Sequence, residues 1–202
     1  MNTILVTGAN RGLGLEIVKQ YYEGGWRVFA CCRAPSEAVP LQALASSSAD
    51  RIKIFSLDVK DIASIRSLVD QIGDSPIDIL MNNAGVFGPK EITFRTITPV
   101  VSQWLEVLQI NTIAPLLLAE NLINNVARSQ LKIIANMSSK MGSIADNTSG
   151  TAYIYRSSKA ALNAAAKSLA IDLREYGIVA IVLHPGWVKT DMGGPNALIT
   201  VT

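Results

Sequence analysis

The chain alternates short, continuously apolar segments with longer segments in which apolar residues recur at helical spacing. The short segments lack the one-in-two alternation of a half-exposed strand, so they predict strands that are buried on both faces. Six strands are predicted, at residues 4–7, 27–31, 52–57, 77–81, 131–137 and 178–183. Helices are predicted at 12–23, 61–73, 98–128 and 158–176, with a further short helix within 34–48.

This order of elements predicts the fold class. A strand followed by a helix, repeated along the chain, predicts a parallel sheet with right-handed crossovers and helices on both faces. The expected architecture is α/β, a doubly wound parallel sheet of the Rossmann type in three α/β/α layers. Ligands in such sheets bind outside the carboxyl ends of the strands. The 202 residues contain no internal repeat and no low-complexity linker, so one domain over 1–202 is expected.

Composition and charge exclude several classes of partner. The 18 basic and 16 acidic residues are scattered, which leaves no block of like charge for a nucleic acid or a membrane surface. The longest apolar segment, 113–119, is too short to cross a bilayer. Cys31 and Cys32 point to opposite faces of one strand, so no structural disulfide is expected between them. With no signal-peptide pattern at the N-terminus, we expect a cytoplasmic protein.

A glycine-rich loop joins the first predicted strand to the first helix and has the sequence T-G-A-N-R-G-L-G over 7–14. Glycines allow a tight turn and a close backbone approach, and the N–H groups at a helix N-terminus favour a pyrophosphate. The spacing is G-x-x-x-G-x-G, and three glycines alone are equally typical of a plain turn. Their position between the first strand and the first helix favours a dinucleotide site.

The end of the second predicted strand indicates which dinucleotide is preferred. Folds that prefer NAD usually place an acid there to accept a hydrogen bond from the ribose 2′-hydroxyl. Residues 29–33 are F-A-C-C-R and contain no acid. Arg33, with Arg11 of the glycine loop, could instead hold a 2′-phosphate. NADP(H) is therefore predicted over NAD(H), and the alternative is that both arginines are solvated surface residues.

Two tyrosines precede Lys159, and helical geometry distinguishes between them. A helix that begins near Tyr155 places Lys159 one turn on and about 40° around the axis, whereas Tyr153 would be about 120° away. A protonated lysine beside a phenol lowers the pKa of the tyrosine and makes it a useful acid near neutral pH. Such a pair by itself is more often an exposed helix face, so its context decides the interpretation.

That context consists of polar residues near three other elements. Ser138 and Ser139 follow the fifth predicted strand, where a hydroxyl could polarise a carbonyl oxygen, and the turn N-N-A-G at 82–85 would let a cofactor ring pass close to the backbone. Asn111 lies four residues before Pro115, which has no N–H for the Asn111 carbonyl, so a kink and a free carbonyl are expected. Each feature has a plain structural explanation, but their joint occurrence favours an active site.

Together these motifs resemble the short-chain dehydrogenase/reductase family. The matches occur in family order across nearly the whole chain: T-G-x-x-x-G-x-G at 7–14, D-V at 58–59, N-N-A-G at 82–85, Asn111, S-S-x-x-G at 138–142, Y-x-x-S-K at 155–159 and P-G at 185–186. Within the family, residues 136–147 and 155–163 most resemble the sniffer-type carbonyl reductases and the bacterial C-factor branch.

The resemblance implies a catalytic set of four residues. Tyr155 would exchange a proton with the carbonyl oxygen, and Lys159 would lower the pKa of Tyr155 and hold the nicotinamide ribose. Ser139 would position the carbonyl oxygen, and Asn111 would anchor a water relay behind Lys159.

It also implies a cofactor site, in which Asp58 and Val59 would flank the adenine and Thr190 would fix the nicotinamide carboxamide. The complete expected set is Gly8, Asn10, Arg11, Gly12, Leu13, Gly14, Arg33, Asp58, Val59, Asn83, Ala84, Gly85, Tyr155, Lys159, Pro185, Gly186, Val188 and Thr190. No metal site is predicted.

The sequence departs from the family pattern in two places. The interval from Ser139 to Tyr155 is a few residues longer than usual, which predicts an enlarged loop at 143–151 and keeps Ser138 as an alternative to Ser139. The chain ends at Thr202, where the resemblance implies a further helix and a seventh edge strand. The expected domain is therefore truncated at its C-terminus, with the final helix and edge strand missing.

Two functions follow as hypotheses. The first is an NADPH-dependent oxidoreductase that reduces a small ketone or aldehyde to an alcohol with Tyr155 as the proton donor. The second is a nucleotide-binding sensor or signalling protein of the C-factor kind with little turnover. The complete catalytic set favours the enzyme. In the family the helices at 98–128 and 158–176 usually form the dimer, so a homodimer through them is an expectation.

Overall fold

Six parallel strands form one sheet in the computed structural model, which describes residues 1–89 and 92–201. The strands are β1 (Thr3–Thr7), β2 (Arg27–Cys32), β3 (Ile52–Ser56), β4 (Ile79–Asn82), β5 (Ile133–Met137) and β6 (Val179–Leu183). The helices are α1 (Gly12–Glu23), α2 (Val39–Ser46), α3 (Ile62–Ile72), α4 (Val101–Leu108), α5 (Ala114–Ala127) and α6 (Tyr153–Asp172). The strand order is β3-β2-β1-β4-β5-β6. The predicted doubly wound α/β fold is confirmed.

Each face of the sheet carries its own hydrophobic core. On one face, Leu5 of β1 and Leu80 of β4 pack with apolar residues of α3 and α5. On the other face, Val6 of β1 and Met81 of β4 pack with residues of α1 and α2. Since successive strand residues point to opposite faces, these continuously apolar strands supply both cores. The strands β2 and β3 extend the sheet to one side of β1, and β4 to β6 extend it to the other side. The switch point that favours ligand binding therefore lies between β1 and β4.

The helix α3 illustrates how the sequence pattern produces one of these layers. It begins after Asp61, whose carboxylate accepts a hydrogen bond from the Ala63 N–H at 2.9 Å and so caps the first turn. Ile65 and Leu68 point into the core and are fully buried, whereas Ile62 is 48% exposed. The helix is therefore held to the sheet by one apolar face.

The predicted helix at 98–128 is wrong as a continuous element. The structure divides it into a 3-10 turn (Thr98–Val100), α4, a π-helical turn (Gln109–Ile113) and α5. Pro115 has no N–H to continue the α-helical bonding pattern, and the wider π-helical turn accommodates that loss. The expected interruption near Asn111 is thus present, in the form of a π-helical turn that carries Asn111.

The last helix begins five residues before the predicted start at residue 158. It runs from Tyr153 to Asp172, and a 3-10 turn (Leu173–Tyr176) completes the predicted segment. The buried face of this helix includes Ile154, Tyr155 and Leu162. Its first buried residues therefore precede residue 158, where the apolar periodicity predicts the helix to begin.

The prediction that every strand is buried on both faces is wrong for the two edge strands, since Lys53 and Ser56 of β3 are exposed and so are several residues of β6. Val179, Ile181 and Val182 are 53%, 38% and 43% exposed, respectively. The reason is that each of these strands lies at an edge of the described sheet and pairs on one side only, β3 with β2 and β6 with β5. Within the described ranges, none of the helices combines the length and the hydrophobicity that a bilayer crossing requires.

Replacement of Leu68 by alanine should reduce the free energy of unfolding by about 2–5 kcal/mol, because it leaves a cavity under α3. Ile62→Ala on the exposed side of the same helix is the matched control and should change stability by no more than about 0.5 kcal/mol. Urea unfolding followed by circular dichroism measures both values. Equal losses in the two variants would contradict the assignment of the buried face.

Candidate active site

A cleft of about 260 Å³ opens at the carboxyl ends of the strands, across the switch point between β1 and β4. All the expected cofactor residues line it except Gly186 and Val188. Of the four expected catalytic residues, Tyr155 and Lys159 line the cleft. Asn111 is buried away from the lining, and Ser139 borders a neighbouring groove. The structure therefore brings most of the predicted residues to one place.

The glycine-rich loop and the N-N-A-G turn form the packed floor of this cleft. The Thr7 hydroxyl accepts hydrogen bonds from the N–H groups of Asn83 and Ala84, each at 3.0 Å. The Asn83 side-chain amide donates to the Thr7 carbonyl at 2.9 Å. A Cβ on Gly14 would lie 2.1 Å from the Gly8 carbonyl oxygen, so no larger residue fits there.

The N-terminus of α1 is suited to the phosphates of a dinucleotide. No side chain caps its first turn, and that turn contains no acidic residue. The first backbone N–H groups of a helix have no partner within the helix, and the helix dipole favours a negative group at this end. The residues on this side of the cleft therefore fit the pyrophosphate of NAD(H) or NADP(H).

The end of the cleft beside β2 and β3 carries an ordered group of charges. The Asp58 carboxylate accepts a hydrogen bond from the Lys60 N–H at 3.0 Å, and the Lys60 ammonium pairs with Glu106 of α4 at 2.7 Å. The Glu106 carboxylate raises the pKa of Lys60. Arg33 lines the cleft at the end of β2, and its guanidinium forms no ion pair with any described residue.

Arg11 has a partner that the sequence did not indicate. Its guanidinium forms an ion pair with the carboxylate of Asp191 at 2.5 Å, across the glycine loop and the segment after β6. Both side chains are largely exposed, at 69% and 74%. The pair thus joins the two sides of the cleft mouth, and it leaves Arg33 as the more available cation for a further anion.

Tyr155 is a buried phenol at the first turn of α6. It is 9% exposed, and its ring stacks on the ring of Phe87, a contact that no sequence motif indicated. Burial raises the pKa of Tyr155, because the phenolate loses hydration, and an interaction with the Ser139 hydroxyl lowers the pKa in part.

Lys159 lies one turn further along the same helix and is 4% exposed. Its ammonium donates a hydrogen bond to the Met137 carbonyl at 2.7 Å and lies 5.7 Å from the centroid of the Tyr155 ring. Burial lowers the pKa of Lys159 to about 8. The sequence predicts that Lys159 lowers the pKa of Tyr155, whereas the pKa of Tyr155 lies above its usual value because the phenol is buried.

Asn111 is fully used in internal hydrogen bonds. Its side-chain oxygen accepts from the Val86 N–H at 2.9 Å, and its amide nitrogen donates to the Val86 carbonyl at 2.8 Å and to the Ser158 hydroxyl at 3.0 Å. The Ser158 hydroxyl in turn donates to the Tyr155 carbonyl at 2.8 Å. The amide side chain therefore connects the loop after β4 with the first turn of α6.

The structure distinguishes the two candidate serines by their partners. Ser138 is buried, and its hydroxyl donates to the side-chain oxygen of Asn163 at 2.6 Å. The Ser139 hydroxyl accepts from the Met141 N–H at 3.1 Å, which leaves its own proton free for an acceptor. Although Ser138 lines the cofactor cleft, only Ser139 combines a free proton with an interaction with Tyr155.

Several residues that line the cleft were not predicted from the sequence. The available signal was proximity along the chain, since Lys60 directly follows Val59, and Asp191 and Met192 are the two residues after Thr190. Cys32 and Ile110 lie within apolar segments and have no polar signature that indicates a ligand site.

Comparison with known proteins agrees with this architecture. The model of the family described as short chain dehydrogenase matches residues 2–197. The C-signal protein of Myxococcus xanthus is 40% identical over 136 residues, which cover 67% of this chain and 80% of that protein. The carbonyl reductase Sniffer of D. melanogaster has a TM-score of 0.91 and 38% identity, with 100% of this chain and 87% of that chain covered.

A second solved structure, the NADPH-bound carbonyl reductase from chicken fatty liver, has a TM-score of 0.89 and 39% identity and covers 100% of this chain and 86% of that chain. The family match thus extends over nearly the whole chain, and the solved structures share its fold. The chain belongs to the short-chain dehydrogenase family of oxidoreductases.

Proposed function

We propose that the chain, as one domain over 1–202, reduces a small ketone or aldehyde to an alcohol with NADPH. The observation that carries this proposal is the placement of Tyr155 and Lys159 on one face of α6 at the end of the cofactor cleft, with the Ser139 hydroxyl beside the phenol. The structural similarity to two carbonyl reductases supports the same reaction class.

In the proposed mechanism, NADPH supplies a hydride to the carbonyl carbon when it is bound. The Ser139 hydroxyl donates a hydrogen bond to the carbonyl oxygen and orients it towards Tyr155. The phenol of Tyr155 transfers its proton to that oxygen as negative charge develops, which completes the alcohol. The Lys159 ammonium stabilises the phenolate that remains, and the Asn111 bonds keep α6 in position.

The environment of the pair suits reduction. Burial keeps Tyr155 protonated in the resting site, so the proton is available until charge appears on the substrate. With a pKa of about 8, Lys159 is mostly protonated at neutral pH and can stabilise an anion close by. Both properties depend on exclusion of water from the site.

The preference for NADPH over NADH rests on Arg33. It lines the cleft at the end of β2 without an anionic partner, whereas the charge of Arg11 is partly offset by Asp191. A free guanidinium at this position binds a 2′-phosphate through charge-assisted hydrogen bonds. The chicken carbonyl reductase, which contains NADPH, supports the same cofactor.

The proposal includes a homodimer through the helical segments at 98–128 and 158–176, which contain α4, the π-helical turn, α5 and most of α6. Leu105 of α4, Ile113 of the π-helical turn and Ile171 of α6 are 62%, 48% and 52% exposed, respectively. Apolar side chains of this size on neighbouring helices favour burial against a second copy.

The similarity to the C-signal protein favours a second candidate function, a nucleotide-binding signalling protein with little turnover. Such a protein has no chemical need for a phenol, an ammonium and a serine hydroxyl placed together. Measurement of turnover therefore separates the two candidates.

Tyr155→Phe should lower kcat for NADPH-dependent carbonyl reduction by about 100-fold or more, because the proton donor is removed. The dissociation constant of NADPH should stay within about threefold of the parent value, since the ring is kept. Tyr153→Phe, two residues earlier on the same helix, is the control and should retain parent activity. A parent protein that binds NADPH without turnover would favour the signalling function.

Arg33→Asp should reduce the ratio of NADPH to NADH affinity by at least about tenfold, because a repulsive carboxylate replaces the cation that faces the 2′-phosphate. Fluorescence titration with each cofactor measures this ratio. Arg66→Asp makes the same charge change on an exposed part of α3 and should leave the ratio unaltered. An unchanged ratio in Arg33→Asp would show that this arginine is merely solvated.

Lys159→Met should change how stability depends on pH. The pKa of Lys159 is about 8 in the folded protein and near 10.5 in the unfolded chain, so between these values the unfolded chain binds more protons. Stability conferred by this site therefore rises with pH over that window, by up to about 1.4 kcal/mol per pH unit.

The variant lacks this rise. The unfolding free energy of Lys159→Met minus that of the parent should therefore decrease as pH increases from about 8 to 10.5. Cys31 and Cys32, whose pKa values are raised by burial, oppose the trend equally in both proteins, which is why the difference is measured. Lys167→Met at an exposed site on α6 is the control. A pH-independent difference would contradict a buried ammonium at Lys159.

A further inference from the structure

The ring of Phe87 lies against the ring of Tyr155 in an arrangement that the proposed chemistry does not explain. The ring centroids are 4.6 Å apart and the planes are inclined by 21°, which is a stacked contact. Phe87 is in the loop after β4, and Tyr155 is on α6, so two separate elements meet through these rings. Both side chains are more than half buried.

The backbone holds Phe87 from both sides. The residue before it, Val86, has its N–H and its carbonyl bonded to the Asn111 side chain at 2.9 and 2.8 Å. The residue after it, Gly88, has a φ of +78°, and a Cβ there would lie 3.0 Å from the Val107 side chain. Gly88 thus has a backbone conformation that suits glycine and a close contact with α4. Phe87 projects from a fixed stretch of backbone.

The same anchor fixes the partner ring. Asn111 also donates to the Ser158 hydroxyl, and Ser158 donates to the Tyr155 carbonyl. One buried amide therefore determines the position of the backbone at Val86 and of the helical turn that carries Tyr155. The separation between the two rings follows from that common attachment.

We propose that Phe87 is a positioning residue, an aromatic wall that holds the Tyr155 ring in its proton-donating orientation and keeps water away from the phenol. The inference rests on the proposed role of Tyr155 as proton donor. Phe87 acts through Tyr155, so its loss should affect kcat and its pH dependence more than cofactor affinity.

Titratable groups lie on α6 itself and on the elements packed next to it. Lys159 is the ammonium on α6 itself, 5.7 Å from the ring centroid. Lys140 lies in the turn after β5, and His184 follows β6, on elements next to α6. Glu106 of α4 is paired with Lys60. None of these groups is altered by a substitution at Phe87, so a change in the titration of Tyr155 reports the wall itself.

Removal of the Phe87 ring should shift the pKa of Tyr155 in one direction only. Burial raises the pKa of Tyr155, so water admitted by Phe87→Leu should lower the pKa. Reduction needs the protonated phenol, and activity is lost as pH rises through that pKa. In Phe87→Leu this loss should therefore begin at lower pH than in the parent, and kcat at neutral pH should fall roughly two- to tenfold, the factor expected for one lost aromatic contact.

The experiment compares four variants of the full chain with the parent: Phe87→Leu, Phe87→Met, Phe87→Tyr and Phe94→Leu. Phe94 is 69% exposed and provides the matched control for loss of a phenylalanine ring. Steady-state kinetics with NADPH and benzaldehyde over a pH series give kcat and KM. An ultraviolet difference titration of tyrosinate, in which the same variant carrying Tyr155→Phe is the reference, follows the Tyr155 phenol without any turnover.

The expected result is an earlier alkaline loss of kcat and an earlier Tyr155 titration in Phe87→Leu and Phe87→Met, parent behaviour in Phe87→Tyr and Phe94→Leu, and NADPH affinity within about threefold throughout. Unchanged titration in both ring-less variants would overturn the inference, as would failure of Phe87→Tyr to restore the parent profile. A parent without carbonyl reduction would contradict the proposed function, while the tyrosinate titration would still decide the role of the wall.

Discussion

The buried side-chain amide of Asn111 is the connection on which the candidate site depends. It bonds both backbone groups of Val86 and reaches α6 through Ser158. It joins the loop after β4, which lines the cleft, to α6, which carries Tyr155 and Lys159. Because the amide is buried and its bonds are satisfied within the protein, loss of one partner would leave a polar group unpaired, which costs about 1–3 kcal/mol.

The π-helical turn explains why this amide points inward. Gln109–Ile113 forms the junction between α4 and α5, and Pro115 prevents an ordinary helix from passing through it. A π-helical turn rotates the residues that follow relative to an α-helix, and such turns are frequent at functional sites. The irregular backbone thus places a polar side chain where a regular amphipathic helix would present an apolar one.

The sequence predicts features that depend on local order along the chain, and it predicts poorly those that depend on tertiary proximity. The alternation of continuously apolar segments with segments of helical periodicity indicates the sheet, and the residues after each strand indicate the cleft, since both follow from the order of elements along the chain. The contact of Arg11 with Asp191 joins residues 180 positions apart, and the ring of Phe87 meets Tyr155 across another long interval. No rule of sequence spacing predicts either contact. The exposure of β6 likewise depends on its neighbours, because its apolar composition matches that of the buried strands.

Burial acts on the two titrating groups of the site in opposite directions, and this determines how the site can work. It raises the pKa of Tyr155 and lowers that of Lys159, because in each case the charged form loses hydration. The free site therefore favours a neutral phenol. In the proposed reaction, stabilisation of a phenolate must then come from groups that act during the reaction: the Ser139 hydroxyl, the Lys159 ammonium and the charge that moves onto the substrate oxygen. Under this proposal, the site holds its proton in the resting state and releases it only when an acceptor forms beside the phenol.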